Sequence, residues 1–137
     1  MPVPASGIDG NMTGDLAQFD LLREIAHSDQ QTPWPSGIHA RTLFKKPDFR
    51  VILISMETAA RMKEHHVDGT TSVQVLKGRI RYTTLGQTYD LQTGSLMTLG
   101  ASIPHDLESV EDSVFLLTIS WPDNQKLAEM QHRGYGT

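Results

Sequence analysis

Short segments rich in Val, Ile, Thr, Phe and Tyr recur at close intervals from residue 38 onward, and this recurrence constrains the fold more than any other feature. Gly, Pro, Asp or Asn residues separate the segments, which lie near 38–44, 49–56, 72–77, 79–84, 87–91, 95–99, 103–108 and 113–120. Short strands with turn residues between them are typical of all-β sandwiches and barrels. We therefore predict an all-β domain that begins near residue 38.

Three local patterns support this prediction. Residues 79–82 read Arg-Ile-Arg-Tyr, so we expect the arginines on the solvent face and the other two side chains in the core. Gly86 lies between two of the segments and predicts a tight hairpin turn. Residues 114–119 are nearly all apolar, as expected for a strand that is covered on both faces.

The regions on either side of the predicted strands have a different character. Residues 1–14 mix Pro, Gly and Ser, and a helix capped by Thr13 or Asp15 is predicted to run to about Ser28. Apolar side chains recur there at helical spacing, namely Leu16, Phe19, Leu22, Ile25 and Ala26. An extended arm along a sheet edge is the alternative interpretation. We predict an N-terminal arm or short helix over 1–37, a barrel over 38–122 and a polar tail over 123–137.

Length, composition and charge exclude several classes of protein. A chain of 137 residues forms one domain, and its 38% of hydrophobic residues suit a single core. The formal net charge of -4 argues against a nucleic-acid or anionic-membrane partner. The absence of cysteine excludes disulfides, thiolate zinc sites and cysteine nucleophiles. The apolar runs are too short to cross a bilayer and residues 1–14 do not resemble a signal peptide, so we expect a cytoplasmic protein.

Histidines are the strongest candidates for functional residues. Three of the six histidines, His65, His66 and His105, lie in the strand-rich region beside turn glycines and prolines. Two strand ends that carry histidines can converge on one interior point of a small barrel. Neutral imidazole is a common ligand for zinc, iron, nickel and copper, so this placement makes a metal site chemically reasonable.

Two sequence motifs resemble those of the cupin family. The stretch EHHVDGTTSVQVLKG (64–78) matches the first cupin motif, which has two histidines, an acid and a strand ending in Gly. The stretch GSLMTLGASIPH (94–105) matches the second motif, a Gly-led strand followed by a turn and a Pro-His pair. The resemblance implies a double-stranded β-helix, which is a jelly-roll-like β-barrel, of the small single-domain bacterial type called cupin 2. It also implies barrels that pair through sheet edges, and we therefore expect a homodimer.

The first motif departs from the family pattern at the ligand positions. The acid of the pattern falls at Thr71, which has no carboxylate. The paired histidines of the pattern fall at positions 64 and 66 or at 65 and 67, depending on the spacing used. Neighbouring side chains on a strand point to opposite faces, so we expect one of His65 and His66 to face the barrel. With His105, this predicts a reduced histidine site for one divalent transition metal, namely zinc, nickel, iron or manganese.

We predict that the barrel binds a small molecule and that its metal site is depleted. The candidate pocket residues are Glu64, Gln74, Tyr82, Met97 and Phe115. One alternative is a metal-dependent enzyme of the dioxygenase, isomerase or decarboxylase type, with His65 or His66 and His105 as ligands. Another alternative is a purely structural dimeric domain. The sequence identifies neither the substrate nor a catalytic residue.

Overall fold

The computed structural model describes residues 15–122, and this range contains one α-helix, one short 3-10 turn and nine strands. The elements in chain order are α1 (Leu21–Asp29), the 3-10 turn (Pro35–Gly37), β1 (Ile38–Lys46), β2 (Phe49–Met56), β3 (Arg61–His65), β4 (Thr70–Lys77), β5 (Arg79–Thr84), β6 (Gln87–Gln92), β7 (Leu96–Leu99), β8 (His105–Ser109) and β9 (Ser113–Ser120). Each of the eight predicted segments overlaps one of the nine strands. The remaining strand, β3, was not predicted from the sequence pattern. The predictions for residues 1–14 and for the polar tail at 123–137 lie outside the described residues.

The strands form two antiparallel sheets that pack face to face. The strand order is β1-β2-β9-β4-β7 in the five-stranded sheet and β3-β8-β5-β6 in the four-stranded sheet. Strands that are distant in sequence are neighbours in both sheets, as in a jelly roll. The buried core between the sheets consists of Ile54, Met56, Val73, Val75, Ile80, Tyr82, Leu91, Leu99, Leu107 and Phe115. The predicted all-β barrel is therefore confirmed.

The hairpin of β5 and β6 follows the predicted pattern. Ile80 and Tyr82 are buried, whereas the two arginines that alternate with them are exposed. The turn consists of Leu85 and Gly86, whose φ values are 51° and 77°. Two consecutive residues with positive φ are typical of two-residue hairpin turns, because the twist of such a turn matches that of the flanking strands. Glycine adopts a positive φ without strain.

Helix α1 begins later in the chain than predicted. Asp20 is its N-cap, because the Asp20 side chain accepts a hydrogen bond from the backbone N–H of Arg23 at 3.3 Å. This cap already satisfies a free N–H group of the first turn, so the predicted cap at Asp15 is wrong. Thr13 lies outside the described residues. The helices of the described range are too short and too polar to span a membrane.

Helix α1 covers the outer face of the five-stranded sheet. Leu21 and Ile25 pack against the buried Leu53 of β2 and Val114 of β9. The next residue of β9, Phe115, lies in the core between the sheets. Strand β9 is therefore covered on both faces, as its apolar sequence predicted.

A buried ion pair also joins helix α1 to the sheet. Glu24 is only 3% exposed, and its carboxylate lies 2.8 Å from Nε of Arg41 on β1. A buried carboxylate without such a partner would strongly destabilise the fold. The pair therefore fixes the position of the helix on the outside of the barrel.

Candidate ligand-binding site

His65 and His105 face each other at one end of the barrel. They are direct partners in the ladder between β3 and β8. Their ring centroids are 4.4 Å apart, and the ring planes are inclined by 58°. The structure therefore brings together one histidine from each of the two sequence motifs.

An irregularity in β3 determines which histidine of the first motif faces inward. Met62 pairs with Leu107 and His65 with His105, so two residues of β3 stand opposite one residue of β8. This is the two-against-one arrangement of a β-bulge. Regular alternation from Met62 would have turned residues 64 and 66 inward, whereas the bulge turns His65 inward instead.

Glu64 and His66 are consequently exposed. The prediction that Glu64 lines the pocket is wrong, because the bulge directs its side chain to solvent. For the same reason His66 does not join the inward-facing pair.

The two histidines of the pair make matching hydrogen bonds. Nδ1 of His65 lies 2.8 Å from the carbonyl oxygen of Lys63, and Nδ1 of His105 lies 2.9 Å from that of Ile103. A carbonyl oxygen accepts hydrogen bonds and cannot donate them, so the proton of each neutral ring is on Nδ1. Nε2 of each ring then keeps its lone pair, which is free to bind a ligand.

The surroundings of His105 favour its neutral form. It is 7% exposed, and this burial is the main reason why its pKa is lowered from the ordinary value of 6.5. The hydrogen bond to Ile103 and the charge of Asp106 raise the pKa of His105, whereas His65 and His66 lower it further. Nε2 of His105 is therefore unprotonated at neutral pH.

Tyr82 and Thr71 extend the site into the barrel. The ring of Tyr82 stacks on that of His105, with 5.5 Å between centroids and 8° between planes. Burial raises the pKa of Tyr82 to about 12, and hydrogen bonding with the Thr71 side chain lowers it by less. Thr71 is 4% exposed and occupies the position of the acid in the cupin motif. A neutral hydroxyl pair therefore lies beside the histidines in place of a carboxylate.

The other predicted pocket residues have different environments. Phe115 is buried in the core cluster, and Met97 is partly buried against that cluster. Gln74 is exposed, so the prediction that it points inward is wrong. Its neighbours Val73 and Val75 are buried on the inner face, and alternation along β4 places Gln74 on the outer face.

The donor set provides an incomplete metal site. Within residues 15–122 no group of three or more His, Cys, Asp or Glu side chains is arranged to hold a metal ion. His65 and His105 provide two nitrogen ligands of suitable tautomer. Catalytic metal sites usually have three protein ligands, so these residues are one ligand short of that number.

Arg50 is an inward-facing residue that sequence reasoning missed. It pairs with Ile119 of β9, which is 5% exposed. Atom Nε of Arg50 is buried as well. The signal was present in the sequence, because Arg50 alternates with the inward-facing Ile52 and Ile54 along β2.

A cavity of about 550 Å³ lies at the opposite end of the five-stranded sheet. Its lining includes Trp34, Met56, Lys77 and Asp112, but neither histidine of the pair. Volume alone does not define a functional site. We place the candidate site at the histidines, because oriented and unused polar atoms converge there.

Two antiparallel sheets that carry an inward-facing histidine pair at one end define a ligand-binding barrel of the cupin type. The model of one family, the AraC-like ligand binding domain, matches residues 50–129. The chain therefore belongs to the AraC-like ligand-binding domain family, within the cupin superfamily. No curated protein matches the chain.

Several solved structures, including structures of cupins, share this fold. A conserved protein of unknown function from Streptococcus pyogenes is 27% identical, with a TM-score of 0.62 over 66% of this chain and 79% of that one. A cupin superfamily protein from Desulfitobacterium hafniense is 18% identical, with a TM-score of 0.61 over 62% of this chain and 78% of that one. A cupin 2 conserved barrel domain protein from Leptotrichia buccalis is 24% identical, with a TM-score of 0.61 over 68% of this chain and 45% of that one.

Proposed function

We propose that the barrel binds a small organic molecule whose hydrogen-bond donors contact Nε2 of His65 and of His105. The observation that carries this proposal is the matching pair of Nδ1 hydrogen bonds to the carbonyls of Lys63 and Ile103. These bonds fix the orientation and tautomer of each ring before a ligand arrives. Because the acceptor atoms are already oriented, binding loses little further side-chain entropy.

The groups next to the histidine pair are uncharged and partly apolar. Burial disfavours the phenolate and raises the pKa of Tyr82 to about 12, so its hydroxyl is protonated at neutral pH. Thr84 donates a hydrogen bond to the carbonyl of Pro104 at 2.9 Å and so supports the backbone just before His105. The site therefore offers fixed acceptors and a phenol beside the apolar core, which is a common composition for small-molecule sites.

A metal-dependent enzyme is the second candidate, and one observation favours it. Metal-binding histidines usually donate their other ring N–H to a carbonyl or carboxylate, as His65 and His105 do here. Zinc, nickel, iron or manganese would bind at Nε2 of both rings and would supply Lewis acidity. Two protein ligands are fewer than such enzymes usually have, so no reaction step follows from this site.

The test compares small-molecule binding and metal content in the same samples. Thermal-shift screening of the tag-free protein should yield ligands that raise the melting temperature by several degrees at saturation. His65→Ala and His105→Ala should each weaken the best ligand at least tenfold. His27→Ala, which changes an exposed histidine of α1, should leave its affinity unchanged.

Two outcomes would contradict this proposal. A near-equimolar transition metal that is lost in His105→Ala would establish the metal-dependent alternative. The absence of any stabilising ligand, with and without added metal, would favour the purely structural alternative.

A further inference from the structure

We propose that Arg50 makes this barrel selective for small hydroxycarboxylates, with the carboxylate bound by the guanidinium and the hydroxyl by the histidine pair. This inference rests on the proposed function, since it concerns the ligand of the same site. Its support comes from the position of Arg50, from its unused donor and from the charges of the barrel interior.

The strand register places Arg50 in the row of inward-facing residues that contains Thr71. Arg50 of β2 pairs with Ile119 of β9, and Ile119 pairs in turn with Thr71 of β4. Partners across a sheet point to the same face, and both Ile119 and Thr71 are buried. Two strand spacings put the backbones of Arg50 and Thr71 about 10 Å apart. Thr71 in turn adjoins Tyr82, which stacks on His105.

The guanidinium of Arg50 is oriented but keeps an unused donor. Its central carbon lies 5.0 Å from the ring centroid of Trp121, a cation–π contact that requires none of its N–H groups. The backbone N–H of Trp121 donates to the carbonyl of Asp48 at 2.9 Å, which holds the tryptophan in place. Atom Nε of Arg50 is buried and has no hydrogen-bond partner among the described residues. A buried donor without an acceptor is costly, and a ligand oxygen would remove that cost.

The charges of the barrel interior favour an anionic ligand. Among the described residues the buried acid is Glu24, which lies outside the barrel and is paired with Arg41. The acid position of the cupin motif is occupied by Thr71. Arg50 therefore has no buried carboxylate opposite it within the described barrel. Charge attraction is strong where water is scarce, and the forked guanidinium matches a carboxylate with two parallel hydrogen bonds.

The histidine pair specifies the other end of the ligand. Nδ1 of His105 lies 2.9 Å from the carbonyl oxygen of Ile103. Nε2 of the neutral ring is therefore an acceptor, which suits a hydroxyl and repels a second carboxylate. A ligand with a carboxylate at one end and a hydroxyl at the other would satisfy both groups at once.

The experiment measures binding of matched acids and amides by isothermal titration calorimetry. The probes are glycolate, 3-hydroxybutyrate, 4-hydroxybutyrate and gluconate, each compared with its primary amide. For the wild-type protein we expect at least one acid to bind ten times more tightly than its amide. Arg50→Gln should abolish this preference and leave amide affinity within twofold, and Arg50→Lys should retain part of it because the charge remains. Arg81→Gln, which changes an exposed arginine of β5, is the control and should keep the full preference.

The outcomes separate this inference from the proposed function. Acids and amides that bind equally, or an Arg50→Gln variant that weakens both equally, would overturn the role of Arg50 and leave a ligand-binding barrel. If none of the eight probes binds while the screen yields other ligands that depend on His105, the hydroxycarboxylate class is wrong. If nothing binds in either experiment, both proposals fail. The comparison of acids with amides needs no variant, so equal binding would overturn the inference even if Arg50→Gln does not fold. Arg50→Lys then tests whether the preference depends on the guanidinium.

Discussion

The proposed ligand site depends most on one residue, His105. Its Nδ1 is held by the carbonyl of Ile103, and its ring is stacked on Tyr82. Burial disfavours the charged form, so Nε2 keeps a free lone pair and the ring resists protonation. Ligand binding at this atom should therefore persist below the pH at which an exposed histidine becomes charged.

We expect the pKa of His105 in the free protein to lie below 6.5, the ordinary value for histidine. A titration of the His105 Cε1–H signal by nuclear magnetic resonance measures it, with His105→Gln used for assignment. Because the pKa of the folded state is the lower one, this histidine adds stability above pH 6.5 that is lost as the pH falls through the folded value. Urea unfolding of the wild type should show this loss, and His105→Gln should show less of it. A midpoint at or above 6.5 would contradict the expectation.

The sequence predicted part of this site because some of its geometry is encoded locally. The Pro-His pair of the second motif marked His105 as a candidate site residue, and the structure buries its side chain at the start of β8. The sequence left open whether His65 or His66 joins it, since the answer depends on a bulge defined by pairing with β8. Arg50 was overlooked for a related reason, because residues 51–54 are all apolar and do not show which face of β2 is the inner one.

At the scale of elements, the corner between β4 and β5 carries the chain from one sheet to the other. A single residue, Gly78, makes this connection with φ of 85°. A Cβ atom at Gly78 would collide with the backbone of Asp112 and with Ser113, at the start of β9. The Ser113 hydroxyl also accepts a hydrogen bond from the backbone N–H of Arg79 at 2.9 Å. Close packing of three strands at this corner therefore requires glycine.

Gly78→Ala should destabilise the protein by about 2–5 kcal/mol, which combines the strain of a left-handed backbone with overpacking. The matched control is Gly94→Ala, because Gly94 has a similar φ of 92° but open space around its Cα. That variant should cost about 1–2 kcal/mol, since only the backbone strain applies. Urea unfolding of both variants measures the difference. Equal losses would show that steric contact at the corner has no effect.

The elements themselves were largely predictable, with one instructive exception. The predicted segments correspond to eight of the nine strands because β-branched and aromatic residues cluster in them. Strand β3 has the sequence RMKEH, whose only apolar residue is Met62. It is a strand because it pairs with β8 at the edge of the four-stranded sheet, and no local pattern indicates such pairing.

At the scale of the whole molecule, the two outer faces of the barrel differ in character. The outer face of the four-stranded sheet carries ion pairs between Arg61 and Asp106 and between Arg79 and Asp90. The side of the five-stranded sheet instead exposes Leu22 of α1 (80%) and Leu96 of β7 (63%). Exposed apolar side chains of this kind often mark contacts with another protein. We therefore expect any homodimer to form through the second side.

Light scattering after size-exclusion chromatography should give a mass of twice 15.2 kDa at micromolar concentration. Leu22→Asp and Leu96→Asp should each shift the population toward monomer, because a buried carboxylate without a partner opposes association. Gln87→Asp is the control, since it places the same charge on an exposed position of the other sheet. A monomer for the wild-type protein across this range would show that the dimer expectation is wrong.

The bulge in β3 also bears on how a barrel of this kind can diverge in evolution. Within the described strands, β3 lies at the edge of its sheet and its register is set by β8. Loss of the bulge would present Glu64 and His66 to the interior in place of His65, with every other strand unchanged. A register shift of one residue in this peripheral strand would thus exchange one inward-facing side chain for two others. A slip in the register of this edge strand is therefore a direct route to new chemistry on the same scaffold.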